Sequence, residues 1–134
     1  MITWNYVEPI SNELNVEEFE ADYSVTLPAD YKALVHRCNN GYPSQDAFRM
    51  PDGEVNQMDH LYSFNRSDPD NMWDFNSSEN LEAGYVAFGG DPFGNQLAFR
   101  LSDNAVVFAD YDTGEIVEIA ANFQAFLRLL EMGA

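Results

Sequence analysis

Apolar residues return at helical spacing in separate stretches of the chain. Val16, Phe19 and Tyr23 fall at i, i+3 and i+7. Tyr31, Leu34, Val35 and Cys38 fall at i, i+3, i+4 and i+7, and Phe123, Phe126, Leu127 and Leu130 repeat that spacing. Local punctuation frames each stripe. Asn15 is placed to cap the amide of Glu18, and Glu17 and Glu18 suit the positive first turn of a helix. Pro28 opens the second helix, where its missing N–H costs nothing, and Asn39-Asn40-Gly41 stops it with residues that tolerate a left-handed cap. The last helix opens at Asn122 and ends at Gly133. The chain before Asn15 reads as extended or irregular, with Trp4, Tyr6 and Ile10 available to cover an edge of the core.

Between the helices the period shortens. Ala47–Met50 and Met58–Phe64 read as short strands around a Pro51-Asp52-Gly53 turn. Tyr85–Phe88, Gln96–Leu101, Ala105–Asp110 and Glu115–Ile119 alternate like strands, with Asp103-Asn104 and Asp112-Thr113-Gly114 as turns. Residues 65–80, NRSDPDNMWDFNSSEN, are polar and broken by Asp-Pro, which predicts a long surface loop with one helical turn. Helices and strands are segregated along the chain, so the pattern predicts a single α+β domain. Its twisted antiparallel sheet of about four to six strands would carry N-terminal helices and a C-terminal helix packed against it.

Composition adds three constraints. With 46% hydrophobic and 14% aromatic residues in 134 positions, the chain has the material for a real core. No apolar run is long enough to cross a membrane, the N-terminus shows neither a basic nor an apolar leader region, and Cys38 is the single cysteine. These features predict a cytoplasmic protein held by packing rather than disulfides. The charge is the third constraint. Six Lys and Arg face 23 Asp and Glu, a net of −17, which repels nucleic acid and anionic membrane alike. Such a field attracts a basic protein partner and accelerates encounter roughly 10- to 1000-fold at low salt. The plainer reading, that acidity serves solubility, stands beside it.

The stretch FGGDPFGNQL, residues 88–97, raises the question of a phosphate cradle. A cradle needs a helix after the glycines. Gln96–Leu101 alternates like a strand, and Asp91 sets a negative charge where the phosphate belongs, so the segment reads as a strand-to-strand connection. His36 and Cys38 are two apart on a helix and face different ways, and His60 stands alone. Asp68, Asp70, Asp74 and Glu79 echo the spacing of a calcium loop, but Met72 and Trp73 occupy positions that need an oxygen ligand and a glycine. No Gly-x-Ser-x-Gly elbow occurs, and the many carboxylates do no acid/base work without opposed environments. The expectation is therefore no catalytic residue, no metal and no cofactor. What remains is an acidic surface set with rings, Trp73, Phe75, Tyr85, Phe93 and Tyr111, each of which could equally be core. Trp73, in the polar stretch, is expected to be partly exposed.

These residues also carry a resemblance. Glu20-Ala-Asp-Tyr23, then Val25-Thr-Leu27-Pro28-Ala-Asp30-Tyr31-Lys-Ala-Leu34, then Asn39-Asn40-Gly41-Tyr-Pro43 resemble the opening of the SUKH superfamily. This group comprises bacterial immunity proteins together with yeast cell-wall-synthesis regulators. Tyr85-Val-Ala-Phe88, Gly89, Gly94-Asn95 and Ala121-Asn122-Phe123-Gln-Ala-Phe126-Leu127 continue the match in order, with Asn95 where the family often has Asp. The resemblance implies an α+β fold in which Leu27, Pro28, Tyr31, Asn40, Gly41, Gly89, Gly94, Phe123 and Phe126 are structural. It also implies a non-catalytic role: binding and neutralising a cognate toxin, often a nuclease, or else regulation without a toxin. Charge and resemblance together nominate a partner surface of Asp68, Asp70, Trp73, Asp74 and Glu79, with Asp91 and Phe93, and with Asp110, Asp112 and Glu115.

Overall fold

The structure, a computed structural model, describes residues 1–134. In chain order the elements are β1 (Trp4–Asn5), α1 (Asn15–Tyr23), α2 (Ala29–Cys38), β2 (Tyr42–Pro43), β3 (Ala47–Arg49), β4 (Val55–Gln57) and β5 (His60–Leu61). There follow α3 (Ser78–Glu82), β6 (Tyr85–Gly90), β7 (Gln96–Arg100), β8 (Val106–Ala109), β9 (Ile116–Ala120) and α4 (Phe123–Met132). Strands β5-β6-β7-β8-β9 form one antiparallel sheet in sequence order, while β1-β2 and β3-β4 are two-stranded ribbons beside it. The fold is α+β, as the segregated pattern predicts. No helix is long and apolar enough to cross a membrane.

Strand alternation gives the sheet two different faces. Phe88 and Phe99 belong to the inner face, where they stack at 4.4 Å and meet Phe123 of α4. Tyr31 of α2 sits among them without solvent exposure, 5.0 Å from Phe99 and 5.5 Å from Phe123. Burial pushes its phenol well above the ordinary range. Leu27, Phe123 and Phe126 are buried as well. The stripes on α2 and α4 thus meet the inner face of the sheet. On the outer face, Ala87, Ala98, Val107 and Ala109 lie beneath α3, which leaves a small cavity of about 80 Å³.

The helix boundaries follow their local chemistry, with one exception. Pro28 is the N-cap of α2, Asn40 adopts φ 66° just beyond its end, and the Asn122 side chain accepts from the Ala125 amide at the start of α4. Asn15, however, does not cap α1. It is the first helical residue, after Leu14, and its side-chain Nδ2 donates to the Phe64 carbonyl at 2.9 Å, tying α1 to the chain beyond β5. The first hairpin also differs from expectation: β3 pairs with Val55–Gln57, and His60–Leu61 instead joins the large sheet beside β6. Cys38 closes its stripe half-buried rather than in the core.

The largest departure concerns residues 65–80. Their polarity reads as solvent exposure, yet Asn65, Asn71, Met72 and Asn76 are buried. The Asn76 carboxamide accepts from the Ala87 amide at 2.8 Å and donates to the Ala87 and Met72 carbonyls at 2.9 Å each. It satisfies β6 where no strand lies alongside, next to the register shift between Ala87 and Gly89. Asn39 does similar work, donating to Glu8 O and Ser63 Oγ and accepting from Phe64 N. Gly41, immediately after, is dictated by crowding, since a Cβ there would stand 2.7 Å from the Cys38 carbonyl.

A candidate partner-binding groove

Three separate pieces of chain meet at one end of the outer face: the β6–β7 turn, the β8–β9 turn and the segment leading into α3. Each turn is built by an aspartate that binds its own backbone. Asp91 accepts from the amides of Phe93 and Asn95 at 2.9 Å and from the Asn95 side chain at 2.8 Å, while Gly94, at φ 90°, closes the turn. Asp110 accepts from the amides of Asp112 and Thr113. The two turns are joined, because Asn95 Oδ1 accepts from the Tyr111 amide at 2.9 Å. With the backbones fixed, the rings of Phe93 and Tyr111 project with 78% and 79% of their surface exposed. The third piece is held by Asn76 below, by Asn71, whose side chain donates to Asp74 at 2.8 Å, and by a Gln96 contact to the Phe75 carbonyl.

Between these pieces runs an open groove of about 630 Å³. Phe75, Phe93, Tyr111, Ala109 and Ile116 give it apolar walls, and Asp74 and Asp110 give it charge. Phe75 and Gly94 also line a neighbouring notch of about 230 Å³, whose acids are Asp59, Asp70 and Asp91. In that notch His60, 5% exposed, is gripped by carboxylates on both sides. Its Nδ1 lies 3.0 Å from Asp59 and its Nε2 3.0 Å from Asp70, and its ring stacks on Tyr42 at 4.6 Å. Tyr62 forms the floor, stacked on Phe75 at 4.5 Å. Burial pushes the Tyr62 phenol up, and the charges of Asp70, Asp91 and Asp59 push it further, against a lowering contact from Gln96. The Tyr42 phenol is raised by burial and by Asp59 and Asp70.

The surface nominated from sequence is only partly one place. Asp74, Phe93 and Asp110 line the groove, Asp70 and Asp91 line the notch, and Asp112 and Glu115 are exposed on the same turn as Tyr111. Asp68 instead turns toward the chain, accepting from Ser63 Oγ at 2.6 Å. Glu79 is exposed in the first turn of α3 but does not line the groove. Trp73 is half-buried on the α1 side, edge-on to Phe19. Its indole N–H donates to Asp22, and the Arg66 guanidinium, 4.2 Å above the ring, covers its face. Asp59, His60, Tyr62 and Ile116 were not visible as site residues in the sequence. His60 looks isolated because one of its two carboxylates is ten positions away, across a turn of chain that only folding closes.

Gly89 and Gly90 explain the glycine pair in the stretch 88–97. A Cβ on Gly90 would sit 2.6 Å from the Tyr62 hydroxyl, and one on Gly89 would sit 2.9 Å from the His60 carbonyl. The glycines let β5 and Tyr62 close on β6; no helix follows them, and β7 does. No curated protein matches the chain. The sequence profile of the SMI1 / KNR4 family (SUKH-1) matches residues 11–129, and the chain belongs to that family.

Proposed function

We propose that this protein is a binding module of the immunity type, which captures and neutralises a basic toxin domain, a nuclease being the class its charge suits best. Domains of this family are generally non-catalytic and immunity-type. The observation that carries the reading is the convergence of acids and exposed rings from three chain segments on one groove, under a net charge of −17. Rings supply burial at the centre of such an interface, and the surrounding charges supply encounter rate and selectivity. An acidic face also resembles the polyanion that a basic nuclease cleft holds, so occupying the cleft blocks substrate.

The test mixes the purified protein with the toxin domain encoded beside its gene. A complex should form at low ionic strength and weaken as salt rises. Joint replacement Phe93→Ala and Tyr111→Ala should raise Kd about 30-fold or more, the effect of losing central aromatic anchors. No complex at low salt, or one indifferent to both rings, defeats the proposal.

A further inference from the structure

The two ends of the large sheet are treated differently by the rest of the chain. At β5 the end is sealed: the Leu61 amide donates to the Gly41 carbonyl at 3.0 Å, and Ser63 exchanges backbone hydrogen bonds with Asp70 and Met72 at 2.8 Å. At β9 no such cover exists. The Asp110 amide donates to the Glu115 carbonyl at 2.8 Å, which marks the hydrogen-bonded pair nearest the turn. Ile116 and Glu118 lie opposite Ala109 and Val107, at the alternate positions of the ladder. Their N–H and C=O groups therefore point away from β8, out of the sheet. Ile116 is 44% exposed, and α4, which contacts β9, packs through Phe123, Phe126 and Leu130 on the inner face and adds no strand beside β9.

We propose that β9 is a docking edge, where an extended basic segment of the partner pairs with Ile116–Glu118 as a sixth strand. The inference deepens the immunity reading and rests on it for the identity of the partner. The strand is suited to pairing over Ile116–Glu118: Ile116 and Val117 are β-branched, and it holds no Pro or Lys, while the register shift opposite Val106 and Val107 confines regular pairing to this end. Charge decides the occupant. Glu115 lies beside the strand, and Asp110 and Asp112 lie on the turn before it, while Glu118 within the strand is already paired with Arg100 at 2.6 Å. A second copy would bring another −17, so self-pairing is opposed while a Lys- or Arg-bearing strand is attracted. Ile116 also lines the groove, so the edge and the groove form one surface. An added strand would turn alternate side chains toward the groove's acids and the others toward Val117. The partner segment is thus one that alternates basic and apolar residues.

The test uses a synthetic peptide of alternating Lys and Val in excess over the full-length protein, read by amide hydrogen exchange. Exchange at Ile116 and Glu118 should slow about tenfold or more, the direct signature of new backbone hydrogen bonds. A Glu–Val peptide should leave both amides unchanged, and Ile116→Lys should abolish the protection while leaving Tm within about 2 °C, since the position is exposed. The idea is overturned if the Lys–Val peptide does not slow these amides, or if Glu–Val works as well. It is equally overturned if they are already protected in the free protein in a concentration-dependent way, which would mean a second copy. Protection by the peptide without any toxin complex would sink the immunity reading alone. A ring-dependent toxin complex in which both amides exchange freely would sink the edge alone.

Discussion

Replacing Asn76 by Ala removes one side chain and leaves three buried backbone groups without partners: the Ala87 amide, the Ala87 carbonyl and the Met72 carbonyl. Asn76 is 3% exposed and Ala87 2%, so water does not reach them from outside. An unsatisfied buried group costs about 1–3 kcal/mol, and the vacated volume admits at most a water that restores part of this. The net loss is about 4 kcal/mol, a large share of the roughly 7–20 kcal/mol expected for a chain of this length. At roughly 3–5 °C per kcal/mol, Tm should fall by about 12–20 °C. Thermal unfolding followed by circular dichroism measures it, with exposed Ser102→Ala as the control. Asn76→Asp separates the parts, since a carboxylate still accepts from the Ala87 amide but faces two carbonyls it cannot donate to. It should be no better than alanine. A Tm loss below about 3 °C for Asn76→Ala, or a near-native Asn76→Asp, would refute the view that this carboxamide stands in for a missing strand.

Gly90→Ala should cost about 1–3 kcal/mol, because its Cβ would meet the Tyr62 hydroxyl at 2.6 Å. Urea unfolding in a Tyr62→Phe background should show a smaller cost, and an unchanged cost would mean that the backbone, not the hydroxyl, sets the limit. Asp103 gives a pH dependence: the Arg100 guanidinium, bonded at 2.6 Å and 3.0 Å, holds its carboxyl below the usual carboxylate range, helped by the Ala105 amide. Its folded pKa is depressed, so its contribution is complete above the unfolded value and disappears as pH falls through the folded one. Asp103→Asn should therefore lower Tm at neutral pH, with the gap to the native protein closing in strong acid. A gap that persists there contradicts the ion-pair account.

Much of the fold was legible because it rests on local rules. Pro28, the Asn40-Gly41 stop and the Asn122 cap act within a few residues, and the stripes on α2 and α4 state which side faces the sheet. Asn15 misled for the same reason: its local role as a cap lost to a contact with Phe64, 49 positions away. In residues 65–80, asparagine is polar in composition but serves buried backbone, and composition cannot distinguish an amide that faces water from one that replaces a strand. A hint was present, since the stretch holds four asparagines and no lysine. Of the groove, the connection carrying Asp91 and Phe93 and the Asp112-Thr113-Gly114 turn were legible, with Asp110 read as the end of the strand before it. Their meeting with Asp74 and Phe75 depends on the placement of the Asn76 segment over β6, which no spacing encodes.

The acids around the groove divide into two kinds. Asp91 and Asp110 hold their own turns through backbone amides, so an alanine there would reshape the wall as well as discharge it. Asp112 and Glu115 are exposed on the same turn and hold up nothing comparable. Substitutions can therefore rewrite length and sign at the second kind while the first preserves the scaffold, so tolerated change in the groove's charge should concentrate at the positions that fold least.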